Sequence, residues 1–453
     1  LDAVAICFHG AGRNWPARNF ISKAGSVKVL LRYGSGTALI EIPRNVQAVL
    51  LQPVQAPAVS DVAKALKRAV EKPTDSAPLS ELVRKGSQVV IVVSDGTRSS
   101  AANVFLEPLV NLLNAFGAKD SDITILIAYG SHERHSPDEV RALLGAGVAR
   151  RVSIEHHDCF DEHMLIPLGE TSQGVPVAVN RLLLDSSLVI ATGAANYHYF
   201  AGYGGGRKAL VPGCAAHETI LANHRLTVSD VPELAGLLNP HCDSGVLDEN
   251  PVHEAALEAV RMVPNVFLLN VVLNPAGDIC GIFAGELDAS HREACAMVDR
   301  IYRVQAPSSF DVVIASCGGF PFDRNLIQMH KGIHHAAQIV RDGGYLVFCG
   351  EARDGIGSDT FEQWFDYDTM EEMAEEIRSD YTLNAHTAYA MREKSRRINI
   401  FLQSLLMDDF VQKMGLEPTY DMQRTVNELI AKTGSPSIAI IPDANLLLPV
   451  LAT

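Results

Sequence analysis

Half of the sixteen histidines fall between positions 132 and 224. The same stretch holds a glycine-rich loop followed at once by two cations, Asn196-Tyr-His-Tyr-Phe-Ala-Gly-Tyr-Gly-Gly-Gly-Arg-Lys208, running on through Pro212-Gly213 to Asn223-His224. Gly204, Gly205 and Gly206 let a backbone approach a ligand closely. Successive amides in such a loop make an anion cradle, with Arg207 and Lys208 beside it. Imidazole titrates near neutrality and is the commonest metal ligand, so His132, His198, His217 and His224 leave proton transfer and metal binding both open. Arg98, in Ser94-Asp95-Gly96-Thr97-Arg98, is suited to gripping a carboxylate.

Several chemistries are excluded. Lys208 is followed by Ala209 and the glycine spacing is wrong, so the loop is neither a Walker A loop nor a dinucleotide fingerprint. No His-Glu-x-x-His, Gly-x-Ser-x-Gly or Cys-x-x-Cys occurs, and the eight cysteines are spread singly, as in a reduced, cytoplasmic chain. A net charge of −15 argues against nucleic acid as a partner. No apolar run reaches the 18 or so residues of a membrane span, so no membrane partner is expected.

The elements that must position these residues alternate between strands and helices. Lys28–Tyr33 and Thr37–Ile42 read as a hairpin, and a helix is expected from about Val59 to Glu71. Val89–Val93, Ile123–Ala128, Val152–Glu155 and Leu182–Thr192 read as strands, with Asp95, His132 and His156-His157 in the loops at their carboxyl ends. Ligands sit at such ends in open α/β sheets. Ser136-Pro137-Asp138-Glu139 opens the next helix with a capping box. His217 and His224, seven apart on an expected helix, share one face. A second α/β unit starts at Phe310–Ala315, with a helix from Asn325 to Val340 and strands at Gly343–Phe348 and Ser437–Ile441. The expected fold is α/β: two domains with mostly parallel sheets flanked by helices and an active site in the interdomain cleft. Residues 1–25 are expected to be a non-native or disordered extension, 26–300 a cofactor-binding domain and 301–453 a C-terminal α/β domain.

On Ser94-Asp-Gly-Thr-Arg98, Gly130-Ser-His132, His198 with Ala201-Gly-Tyr-Gly-Gly-Gly-Arg-Lys208, and Asn223-His224, the chain resembles the nickel-dependent lactate racemase family. Gln328 and Lys331, within Phe322-Asp-Arg-Asn-Leu-Ile-Gln-Met-His-Lys331, match the family's substrate-side pair. The resemblance implies a racemase or epimerase of 2-hydroxy acids working by hydride transfer. The implied cofactor is a nickel-pincer nucleotide, pyridinium-3-thioamide-5-thiocarboxylic acid mononucleotide, joined covalently to Lys208, with His224 as the protein ligand to Ni(II). It further implies that Gly204, Gly205, Gly206 and Arg207 hold the cofactor, and that His132 and His198 are the acid–base pair. Arg98 and Lys331 would then bind the carboxylate, with Asp95 and Gln328 ordering the site.

Ile327 stands where lactate racemases carry a tyrosine, so a longer or polyhydroxy acid is expected as substrate rather than lactate. Enzymes that build the cofactor are implied partners in maturation. Two other readings of the loop are a phosphate-binding sugar or nucleotide transferase and a non-catalytic nickel- or cofactor-binding protein.

Overall fold

A computed structural model describes residues 26–96, 100–229 and 237–452. The extension expected at residues 1–25 lies outside the described residues, and so does Arg98. The chain divides into two compact units, and the division is not a single cut near residue 300. One unit comprises Gln55–Thr227 and Asn239–Ile301; the other comprises the chain up to Val54, Val228–Leu238 and Tyr302–Thr453. The reason is pairing and packing over long range. Strand Ala48–Leu50 runs parallel to Ile438–Ile441. The hairpin of Ser26–Tyr33 and Gly36–Pro43 buries Val29, Leu31, Ile40 and Ile42 in one cluster with Val312, Ile314, Val347 and Val426.

The first unit is built on a six-stranded sheet in the order Ile279–Gly285, Val266–Leu273, Leu188–Ala194, Val89–Ser94, Ile123–Ala128, Ser153–His156. All neighbours are parallel except the edge strand Ile279–Gly285. Strand Val89–Ser94 is apolar along its length and buried to its last residue but one, as a strand covered on both faces must be. The helix Ala102–Phe116 covers one face with Phe105, Leu106, Leu109 and Leu113. The sequence reading of Leu182–Thr192 as one strand is corrected. Leu182–Asp185 is a short helix, and the strand begins at Leu188, after Ser186 and Ser187 break the apolar run.

The other unit's sheet runs Glu417–Pro418, Asn399–Gln403, Val340–Cys349, Phe310–Ser316, Ile438–Ile441, Ala48–Leu50, all parallel. Helix Leu326–Ala337 follows strand Phe310–Ser316, capped by the Asn325 side chain on the Gln328 amide; it stops short of Val340, which already belongs to the next strand. Among the described residues no helix is long and apolar enough to cross a membrane.

Ile40 is fully buried and Ile→Ala in such a core costs about 2–5 kcal/mol. In Ile40→Ala, hydrogen exchange should therefore quicken in strand Phe310–Ser316, with which the hairpin shares its core. It should stay unchanged in strand Ile123–Ala128, whose core cluster contains none of the same residues. Equal acceleration in both strands would contradict the division.

Candidate active site

The order of the first sheet contains a switch point. From Val89–Ser94 the chain builds outward through Ile123–Ala128 and Ser153–His156, then returns to lay Leu188–Ala194 on the other side. Loops leaving the carboxyl ends of these neighbouring strands diverge and leave a crevice. A pocket open to solvent occupies it. Ser94 and Asp95 come from one strand end, Tyr129 to His132 from the next, and Ala194, Asn196 and His198 from the third. Gly204, Gly205, Lys208 and His224 complete the wall.

Asp95 is 2 % exposed, and its Oδ2 lies 2.5 Å from His132 Nδ1. A buried carboxylate at Nδ1 orients the ring and leaves Nε2 as the atom able to exchange a proton with a ligand. His198 sits in a two-residue ladder, Tyr197 against Tyr203 and His198 against Gly202, and is buried. Both tyrosine hydroxyls of that ladder donate to Asp299 Oδ1, at 2.6 and 2.7 Å, which fixes the strand pair that carries the imidazole.

Phe200, which the sequence reading passed over, touches three of the candidate groups. Its ring centroid lies 4.5 Å from that of His198 and 5.0 Å from that of His224, and Lys208 Nζ lies 5.3 Å above it. One aromatic ring thus spaces an imidazole from the ladder, one from helix His217–Arg225 and the amine after the glycine loop. His217 does not line the pocket; it stacks on Phe160 at 4.8 Å. His157 is also structural, its Nε2 bonded to the Ala215 carbonyl at 3.0 Å.

The glycine loop differs from the cradle expected of it. The Gly204 amide donates to the Asn196 carbonyl at 2.8 Å and the Gly206 amide to Asn270 Oδ1 at 2.7 Å, so neither is left for an anion. Gly206 does not line the pocket; a Cβ there would meet Leu268 Cδ1 at 2.3 Å and the Ala191 carbonyl oxygen at 2.9 Å. Its lack of a side chain serves close packing on the sheet.

Arg207 lies beneath the loop rather than on the pocket wall. It is 1 % exposed and turned inward, where Nη2 donates to the Ala201 and Tyr203 carbonyls and Nη1 lies 2.9 Å from His291 Nε2. No carboxylate among the described residues pairs with it, and burial brings its pKa down to about 10, still charged at neutral pH. Burial, with the Arg207 charge next in weight, holds His291 and His253 neutral.

Gln328, Lys331 and Ile327 belong to the other unit, on the first two turns of helix Leu326–Ala337. Lys331 Nζ donates to Gln328 Oε1 at 2.8 Å, and Asn445 Nδ2 holds the Gln328 carbonyl at 3.2 Å. Ile327 is half-buried.

What this fold and its relatives define is an isomerase of the racemase class. The lactate racemase N-terminal domain family matches residues 33–235 and the lactate racemase C-terminal domain family residues 305–447; the chain belongs to the lactate racemase family. A lactate racemase of Thermoanaerobacterium thermosaccharolyticum is 32% identical over 300 residues, 66% of this chain and 68% of that protein. One of Lactiplantibacillus plantarum is 28% identical over 385 residues, 83% of this chain and 88% of that protein. The solved structure of the Thermoanaerobacterium thermosaccharolyticum lactate racemase apoprotein superposes with a TM-score of 0.83 at 26% identity, covering 94% of this chain and all of that one. A Thermotoga maritima protein of 17% identity shares the fold with a TM-score of 0.64.

Forcing a methyl group between the glycine loop and the sheet should be felt as overpacking. Gly206→Ala should lose about 1–3 kcal/mol of stability by urea unfolding. A variant as stable as the parent would show that the loop is not pressed against Leu268 and Ala191.

Proposed function

We propose that this chain racemises or epimerises a 2-hydroxy carboxylic acid, using a nickel-pincer nucleotide carried covalently on Lys208, with His224 as the protein ligand to Ni(II). The observation that carries this reading is one pocket, in a chain of the lactate racemase family, walled by Asp95, His132, His198, Lys208 and His224. The donor set fits the cofactor. Among the described residues no group of three or more His, Cys, Asp or Glu side chains could hold a metal ion alone, so Ni(II) at His224 takes its other donors from an organic group. Sulfur donors with one imidazole suit Ni(II). Lys208 and His224 flank the same Phe200 ring, and Gly204 and Gly205 give the pocket a wall without side chains. When bound, the cofactor supplies the centre that takes hydride from the substrate Cα and gives it back.

The chain's own part is proton transfer and grip. His132, its Nδ1 occupied by Asp95, takes the hydroxyl proton at Nε2 from one hand of the substrate and returns it. His198 does the same for the other hand. Arg98 and Lys331 hold the carboxylate, and Gln328 orders Lys331. With Ile327 offering no hydroxyl, the substrate wall favours a longer or polyhydroxy acid over lactate. The enzymes that assemble the cofactor are the partners in maturation.

Co-expression with those enzymes should add the mass of the pyridinium nucleotide to the peptide holding Lys208, and Lys208→Ala should abolish the adduct. His224→Ala should keep the adduct and lose most of the nickel. His132→Asn and His198→Asn should each lower racemisation about 10²–10⁴-fold while keeping adduct and metal, which separates catalysis from mere cofactor binding. Across lactate, malate, phenyllactate and gluconate-type acids, lactate should not have the highest kcat/KM. Near-normal turnover in either histidine variant would overturn the two-base reading, and lactate ranking first would overturn the argument from Ile327.

A further inference from the structure

His135 has no place in the chemistry above, yet its ring closes a second link between the two loops that carry Asp95 and His132. Gly96, the residue after Asp95, donates its amide to His135 Nε2 at 2.7 Å. Asp95 Oδ2 and His132 Nδ1 are joined one residue earlier on one loop and three residues earlier on the other. Two links so close along both loops leave Asp95 little freedom to rotate about its backbone. The Gly96 amide lies past the end of the sheet ladder, where a side chain must supply the acceptor that a neighbouring strand no longer does.

His135 is itself held on three sides. Its ring meets the buried Tyr129 ring edge-on, with centroids 5.2 Å apart and planes at 80°. Its own amide donates to the Tyr129 hydroxyl at 3.3 Å, and that hydroxyl lies 2.9 Å from His156 Nδ1. The next residue, Ser136, is the cap of helix Pro137–Leu144, which fixes the backbone at this point. To accept from an amide, Nε2 must be bare, so the ring is neutral with its proton on Nδ1.

We propose that His135 is a positioning residue, which fixes the Asp95 loop through the Gly96 amide and thereby sets the Asp95–His132 pair. It touches neither the pocket space nor the reacting atoms and acts through Asp95. The part concerning catalysis rests on the racemase reading; the link itself does not.

Two variants separate acceptor from ring. His135→Phe keeps the ring against Tyr129 and removes the acceptor, whereas His135→Gln offers an amide oxygen to Gly96. In purified protein without cofactor, the Gly96 amide should exchange about 3–10-fold faster in His135→Phe, the loss of one ordinary hydrogen bond, and near the parent rate in His135→Gln. His135→Leu repeats the measurement should the aromatic variant not fold. In cofactor-loaded protein, His135→Phe should lower kcat about tenfold with KM little changed, and His135→Gln should recover most of it. In an Asp95→Asn background the same Phe substitution should add little, because the two act as one unit.

Unchanged Gly96 exchange in His135→Phe would overturn the proposal whatever the activity. Fully additive losses in the double variant would overturn the action through Asp95. Should the parent racemise none of the acids while Gly96 exchange still responds, the functional reading fails and the link stands.

Discussion

The site depends on how closely the backbone at Gly205 and Gly206 lies against the sheet. At Gly205 φ is +126°, and a Cβ would meet the His291 ring at 2.9 Å; at Gly206 it would strike Leu268. Only a chain without side chains there can descend this far, and the descent brings Arg207 under the loop and Lys208 to the pocket wall. The buried guanidinium then holds the loop from beneath through the carbonyls of Ala201 and Tyr203. A charge placed so is costly to desolvate, and its shared carbonyls and the neutral His291 offset part of that cost. Asn270, fully buried on strand Val266–Leu273, holds the same loop from the sheet side.

Beside this anchored loop one half of the pocket is organised around an aromatic ring. Phe200 separates His198, His224 and Lys208 by its own thickness and width, so their spacing is that of a rigid body. The other half of the pocket is organised by one carboxylate. Asp95 is almost without solvent contact, which makes its bond to the half-exposed His132 less screened than a surface pair would be. The two imidazoles are therefore positioned by different means, one by a buried charge and the other by a strand pair clamped on Asp299.

Much of this was legible in the sequence because the signals are local. Val89–Ser94 and Ile123–Ala128 are unbroken apolar runs ended by polar turns, and Asp95 and His132 could be placed at strand ends without any contact information. The capping box at Ser136 needs only four residues to be recognised. Most of what escaped depends on how the chain turns back on partners that are not adjacent in sequence. Arg207 looked like a ligand-binding cation because nothing in Gly-Gly-Gly-Arg-Lys says that carbonyls of Ala201 and Tyr203 and the ring of His291 wait on the inner side. The glycine loop looked like an anion cradle because Asn270, which takes one of its amides, lies in a different strand. Leu182–Thr192 looked like one strand because apolar character continues across the break at Ser186. The early hairpin was expected to pack within residues 26–300, and its apolar face packs instead on Val312 and Ile314, far along the chain.

The pairing of Ala48–Leu50 with Ile438–Ile441 has a consequence for biosynthesis. All of the pocket-bearing unit is spliced between strands of the other, so on a ribosome it is complete while its host still lacks five of its six central strands. Closing so large a loop adds little to the equilibrium cost, since each doubling of length costs only about 0.6 kcal/mol. The constraint falls on timing instead. The hairpin and strand Ala48–Leu50 leave the exit tunnel well before the strands they join, with Leu31 and Ile40 among their apolar side chains, and their seat in the sheet is made later. During that interval the nascent chain carries one folded unit and an orphaned, aggregation-prone edge at once, the circumstance in which a chaperone is most useful.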